Sequence, residues 1–286
     1  MPSNVPMHTL VSIRARTTDE LGELKAQFLA SLNHEMRTPL TGILGMLDLL
    51  LETNLDTEQR EFALSSHLCA RDLLELMNST LEFSALAANQ VVLEEADFQP
   101  WEMLDTLTGE FSPQAAAKGL IFIGNFDPDL PEVVIGDELR IKQLLSYLIA
   151  NAIKFTNQGE VELSVSVQPS GEAGWIVAFS VRDTGIGVPP DQIESIFESF
   201  RQSETGLSRR YAGMGLGLAL SQKLAKLMHS EVKVVSELGT GSIFSVNLAL
   251  RAPRDIQRRP PQSTPDRFKT RRVDEVELAH PQAIAV

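Results

Sequence analysis

Four short stretches of the 286-residue chain combine residue types that can do chemistry at spacings that let them act together. In the first, His34 is followed by Glu35, which can hold one imidazole nitrogen protonated and leave the other as a nucleophile. Thr38, one helical turn on, can position a water. Pro39 removes the N–H that would have bonded the Glu35 carbonyl, so a helix can bend beside the histidine. In the second, Tyr147, Asn151 and Lys154 step by four and three and so share one face of a helix. An asparagine carbonyl is a hard ligand suited to Mg²⁺ and a lysine suits phosphate, although, taken alone, a solvated polar face is the better account of these three residues. In the third, Asp183-Thr184-Gly185-Ile186-Gly187 follows a strand pattern. Its carboxylate can accept from an exocyclic amine, and its glycines admit a flat ring close to the backbone. In the fourth, Arg209-Arg210-Tyr211 leads into Gly213-Met214-Gly215-Leu216-Gly217 and then a helical pattern, leaving backbone N–H groups for phosphate oxygens. No Gly-Lys-Ser/Thr follows, so this is not a P-loop, and a long loop rather than a strand precedes it, which excludes a dinucleotide-binding turn.

The elements that must position these residues fall into two groups. From Asp19 to about Glu52, Leu21, Phe28, Leu32, Ile43, Leu47 and Leu50 lie on one stripe at the helical period. After a polar turn from Thr53 to Thr57, a second helix is expected to about Ser84. Its seam of Phe62, Ser66, Cys69, Leu73, Leu76, Thr80 and Phe83 steps in heptad fashion. Two such helices form a hairpin that cannot bury both apolar faces alone, and a four-helix bundle made by two chains is the economical solution. The second group is mixed. Helices are expected over Trp101 to Ala117, Asp137 to Phe155, Gln192 to Phe200 and Leu218 to Met228, with Asp137 as an N-cap. Strands are expected over Leu120 to Phe126, Val161 to Val167, Trp175 to Arg182, Glu231 to Ser236 and Ser242 to Leu250. The expected fold class is α+β, with a helical hairpin followed by a sandwich of helices over one sheet. The expected organisation is a lead-in over 1–18, a dimerisation unit over 19–88, a second domain over 95–250 and a proline-bearing linker or tail over 251–286.

Composition narrows the function. The chain is 43% hydrophobic and 22% charged, which excludes disorder throughout, and its one cysteine excludes a disulfide scaffold. The sequence has no unbroken apolar run long enough to span a membrane and no signal-peptide core near Met1, so a reducing, cytoplasmic setting is expected. The net charge of −13 is uneven. From Arg251 onward eight basic residues face five acidic ones, leaving 17 basic against 33 acidic in the remainder. Such a body argues against nucleic-acid binding, yet helix N-termini and glycine loops can still hold a polyanion.

Taken in order, these stretches resemble the sensor histidine kinases of two-component signalling. The segment Asn33-His34-Glu35-Met36-Arg37-Thr38-Pro39 is similar to that family's H-box, Asn151-Ala-Ile-Lys154-Phe-Thr to its N box, and Asp183-Thr-Gly185-Ile-Gly187 to its first glycine box. Ile196-Phe197-Glu198-Ser199-Phe200 resembles the F box, and Gly213-Met-Gly215-Leu216-Gly217 the second glycine box at the end of an ATP lid. Gly239-Thr-Gly241 matches the last glycine motif and reads equally as a hairpin turn. The resemblance implies a dimeric phosphoacceptor bundle and a Bergerat-type ATPase sandwich. It implies that His34 is phosphorylated, that Glu35 polarises it, and that Thr38 helps hydrolyse phospho-aspartate on a response-regulator receiver domain. It implies ATP and Mg²⁺ as ligands, with Asn151 on the metal, Lys154 and Arg210 on phosphate, Asp183 on the adenine amine and Tyr211 lining the pocket. Three positions depart from the family pattern. Tyr147 stands where a second asparagine is usual, which predicts weaker Mg-ATP binding than an asparagine there would give. Ala212 replaces a usual glycine and Met214 a usual threonine. A catalytically degenerate dimeric scaffold that docks a regulator is the competing reading. The topoisomerase, mismatch-repair and chaperone ATPases lack the His34 motif.

Overall fold

The computed structural model describes residues 35–88, 90–171, 174–199 and 215–253. The chain divides into two compact units, one ending at Val92 and the other beginning at Leu93.

In the first unit a helix over 35–51 (α1) runs through Pro39 and is followed, after a short turn, by α2 (Thr57–Ala87). The expected helix upstream of residue 35 lies outside the described residues. The turn is closed by a capping box. Asp56 Oδ1 accepts from Gln59 N at 2.8 Å, and the Gln59 side chain accepts from Asp56 N at 3.2 Å. Arg60 donates to the Leu51 carbonyl at the end of α1. Leu40, Ala70 and Met77 form the buried seam, with Leu44 and Leu74 packed against it. His67 Nε2 meets Asp48 Oδ1 across the hairpin at 2.9 Å.

The seam between the two helices is therefore offset from the expected stripes. On α1, Ile43 and Leu50 are exposed rather than inward. On α2, Phe62, Leu73 and Leu76 are exposed, and Cys69 with them. Both helices are apolar over much more than one narrow stripe, so periodicity alone cannot say which part faces the sister helix. The expected heptad seam of α2 is left as an open apolar face beside the closed one.

The second unit is α+β. Its elements are β1 (Ala96–Phe98), α3 (Pro100–Ala117), β2 (Ile121–Phe126), β3 (Val134–Gly136), α4 (Glu138–Phe155), β4 (Glu160–Pro169), β5 (Gly174–Asp183), α5 (Gly217–Leu227), β6 (Val232–Glu237) and β7 (Gly241–Arg251). The sheet order is β1-β3-β7-β5-β4-β2, with β6 paired to β7 as well. Among the described residues only the β2–β4 pair is parallel. Strands alternate cleanly. Val161, Leu163, Val165, Val177, Phe179, Val181, Phe244, Val246 and Leu248 point into the core, meeting Leu104, Leu107, Leu144, Leu148 and Leu220 from the helices. Glu160, Glu162 and Arg182 lie together on the other face as ion pairs. The expected helix from Gln192 to Phe200 is corrected. Pro190–Gln192 and Ser195–Phe197 are separate 3₁₀ turns. Pro189 and Pro190 supply no N–H groups, and three-residue turns do not propagate.

The unit begins and finishes at one edge of its sheet. Ile135 of β3 pairs with Arg251 at the end of β7, and the Arg251 guanidinium meets the Glu95 carboxylate just before β1.

Candidate nucleotide site

The site is built on α4. Asp137 caps it, with Oδ1 accepting from Arg140 N at 3.0 Å, while Oδ2 accepts from Glu94 N at 2.8 Å. Ile141, Leu144, Leu145, Leu148, Ile149, Ala152 and Ile153 are buried. This apolar face is wide because α4 packs on α3, α5 and the sheet at once. Phe155, the last residue of α4, is half-buried. Tyr147, Asn151 and Lys154 share the remaining face and are also half-buried.

Asp183 ends β5, only 5% exposed. Burial pushes its carboxyl pKa up. Hydrogen bonds from Gly185 and Ser242 and the charge of Arg182 pull the other way. The loop after it is stapled on two sides. Gly185 N donates to Asp183 Oδ1 at 2.8 Å, and Ile186 N donates to the Phe155 carbonyl at the end of α4 at 3.3 Å. Gly239 N donates to Ile186 O at 2.8 Å, and Val188 N donates to Ser236 Oγ at 2.8 Å. The closeness of these chains explains the glycines. A Cβ at 185 would stand 2.5 Å from the Phe155 carbonyl oxygen. Gly187 has φ +68°, and a Cβ there would stand 2.7 Å from the carbonyl carbon of Glu237 and closer still to its oxygen.

Gly241 completes this corner. Its φ is +126°, and a Cβ would overlap the Asp183 carbonyl, 2.9 Å from the carbon. Sequence reasoning could not separate this glycine from an ordinary hairpin turn, because its reason is a chain 58 residues earlier.

The fourth stretch reaches the same place. Leu216 is buried and stands at the N-cap of α5, where no side chain caps the helix. A Cβ on Gly217, the first residue of α5, would stand 3.1 Å from Asn151 Nδ2. The amide face of Asn151 and the amino end of α5 are thus neighbours, and such an end offers backbone donors to an anion. Gly215 precedes it with φ +66°. Phe197 is half-buried in a turn packed against α5.

The structure thus brings together Asn151, Asp183, Gly185, Gly187, Gly215, Leu216 and Gly217, with Tyr147 and Lys154 on the same face of α4 as Asn151. Arg210, Tyr211, Gly213, Ala212, Met214 and Phe200 lie outside the described residues. So does His34. Glu35 and Thr38 are exposed in the first described turn of α1, and Arg37 there donates to Asn78 Oδ1 of α2 at 2.6 Å.

Comparison with known proteins identifies two domains in the chain. Residues 24–89 match the His Kinase A (phospho-acceptor) domain, and residues 136–252 match the histidine kinase-, DNA gyrase B- and HSP90-like ATPase domain. The chain belongs to the histidine kinases, and it carries the phospho-acceptor and ATPase domains of that family in that order. It is 38% identical over 243 residues to hybrid signal transduction histidine kinase B of Dictyostelium discoideum, covering 85% of this chain and 12% of that one. It is 35% identical over 240 residues to the signal transduction histidine-protein kinase BarA of Escherichia coli, covering 84% and 26%. The chain therefore spans about an eighth to a quarter of the length of these curated relatives. A solved structure of full-length ShkA in complex with AMPPNP is similar at a TM-score of 0.66 and 37% identity, over 79% of this chain and 46% of that one.

Proposed function

We propose that this chain is the ATP-dependent kinase core of a two-component system. In this reading the γ-phosphoryl group of ATP moves to an imidazole nitrogen of His34 and then to an aspartate on a response-regulator receiver domain. The observation that carries it is the meeting of Asn151 with the uncapped amino end of α5 at Gly217, on the same helix whose end is bonded by the loop that follows the buried Asp183. Asp183 accepts from the adenine amine, and Gly185 and Gly187 let the ring lie against the backbone. Lys154 and Arg210 face phosphate, backbone N–H groups near Gly213, Gly215, Leu216 and Gly217 take phosphate oxygens, and Tyr147 and Tyr211 line the pocket. Asn151 would hold Mg²⁺ through its side-chain carbonyl oxygen. Bound there, the ion supplies charge neutralisation between the phosphates.

At the acceptor, Glu35 keeps one imidazole nitrogen protonated so that the other carries the lone pair that attacks phosphorus, with ADP as leaving group. Thr38 positions the water that hydrolyses phospho-aspartate on the receiver, releasing inorganic phosphate. The open apolar face of Ile43, Leu50, Phe62, Leu73 and Leu76 supports pairing with a second copy into a four-helix bundle. No described helix is long and apolar enough to cross a membrane. The ATP requirement and the receiver partner fit a cytoplasmic place for both units.

Incubation with γ-³²P-labelled ATP tests the reading. Acid-labile, base-stable label is expected on the wild type and none on His34→Gln. Label retained by that variant, or wild-type protein that binds nucleotide without becoming labelled, overturns it in favour of another acceptor or a degenerate scaffold.

A further inference from the structure

An α-helix leaves its last four carbonyls without intrahelical partners. In α4 the carbonyls of residues 152 to 155 all have hydrogen-bond partners, and one of those partners lies at the end of another helix. The Ala152 carbonyl accepts from Thr156 N at 3.1 Å and from Thr156 Oγ1 at 2.7 Å. The Phe155 carbonyl accepts from Ile186 N in the loop after Asp183. The two between them, Ile153 and Lys154, both accept from the Lys118 ammonium, at 2.8 Å and 3.0 Å. Lys118 follows the last residue of α3 and is itself held. Gly119 N donates to Ala116 O and Leu120 N to Ala115 O, a Schellman closure with Gly119 at φ +73°. Lys118 is exposed as a residue, and partial burial of its ammonium against these carbonyls lowers its pKa.

We infer that Lys118 is a positioning residue for the nucleotide site: by holding the Ile153 and Lys154 carbonyls it fixes the terminal turn of α4, and through the Phe155 carbonyl it fixes the loop of Gly185 to Gly187. That turn carries Lys154 and follows Asn151, so one ammonium sets the spacing between the phosphate-facing and base-facing halves of the site. The inference rests on the nucleotide site proposed above, but its mechanical part does not.

The test uses Lys118→Met, which keeps the aliphatic stem and deletes the donors, in the full chain. Hydrogen exchange at the Ile186 amide should quicken about tenfold while the amides of the β4–β5 hairpin keep wild-type rates, and Mg-ADP affinity by calorimetry should fall about tenfold. Lys142→Met is the comparison. Lys142 also ties α4 to α3, through Glu110 at 3.9 Å, but it is in the first turns of α4. That variant should leave both readouts unchanged. Wild-type Ile186 exchange in Lys118→Met overturns the inference, as does a general rise in exchange or an equal effect from Lys142→Met. Wild-type protein that binds no nucleotide overturns the proposed function instead, and the Ile186 readout still decides the role of Lys118.

Discussion

Replacing Gly187 by alanine should destabilise the second unit far more than replacing Gly239, although both glycines have positive φ and lie within one corner. Gly239 has φ +86° and nothing within 4 Å of an added Cβ, so Gly239→Ala meets only the left-handed backbone penalty of about 1 kcal/mol. Gly187 has φ +68° and the same penalty, but its Cβ also runs into the Glu237 carbonyl and stands 3.0 Å from Leu238 Cα. Relief requires the β6–β7 turn to withdraw. That stretches two bonds, from Gly239 N to Ile186 O and from Val188 N to Ser236 Oγ, each 2.8 Å. At about 1 kcal/mol per bond, Gly187→Ala should cost about 3 kcal/mol in all. The entropy that alanine removes from the unfolded chain is common to both variants and cancels in the difference. Both tryptophans, Trp101 and Trp175, belong to the second unit, so urea unfolding followed by tryptophan fluorescence reports on that unit. The expected gap between the variants is about 2 kcal/mol. A gap under about 0.5 kcal/mol would refute the close-approach argument, since the two sites would then differ only in φ.

Asp183→Asn should weaken nucleotide binding at least tenfold in a fluorescent-nucleotide titration, because the acceptor for the base is altered, and it should also change the pH profile of stability. Burial raises the carboxyl pKa in the folded state, so the folded protein holds that proton more tightly than the unfolded chain. Wild-type stability from this group therefore falls as pH climbs from the ordinary carboxylate range to the raised value. Urea midpoints measured across that window should move in the variant's favour as pH rises, and parallel curves would count against the burial argument. Leu76→Asp, on the open heptad face, should weaken self-association at least tenfold by sedimentation equilibrium. Leu68→Asp, more exposed than Leu76 but off that face, should not.

The strongly periodic parts of the fold were legible before any coordinates. The α4 pattern announced both its buried side and the Tyr147, Asn151, Lys154 face, because a residue's place on a helix follows from spacing alone. Alternation did the same for β4, β5 and β7. The three-residue strands β1 and β3 are too short to show any period, and they pair through partners far along the chain. The hairpin seam was displaced because α1 offers Ile43 and Leu50 as readily as Leu40 and Leu44, and a single chain buries only one set. Cys69 lies with the set that a single chain leaves open. In the site, residue types and order marked Asn151, Asp183 and the glycines. What they could not mark was Lys118 or the need for Gly241. Both act on backbone atoms of residues distant in sequence, and a backbone carbonyl has no residue type to read.

The pairing of Ile135 with Arg251, and of Arg251 with Glu95, has a consequence for how this unit can be rearranged. Glu95, before the first strand of the sandwich, and Arg251, at the end of its last, lie side by side, so the sandwich can be treated as a cassette with both junctions at one seam. Such a unit can be spliced into a loop of an unrelated host with short connectors, and its own ends can be joined and reopened elsewhere without stretching the sheet. For a catalytic module that recurs within much longer polypeptides, that geometry makes transplantation a matter of two neighbouring cuts.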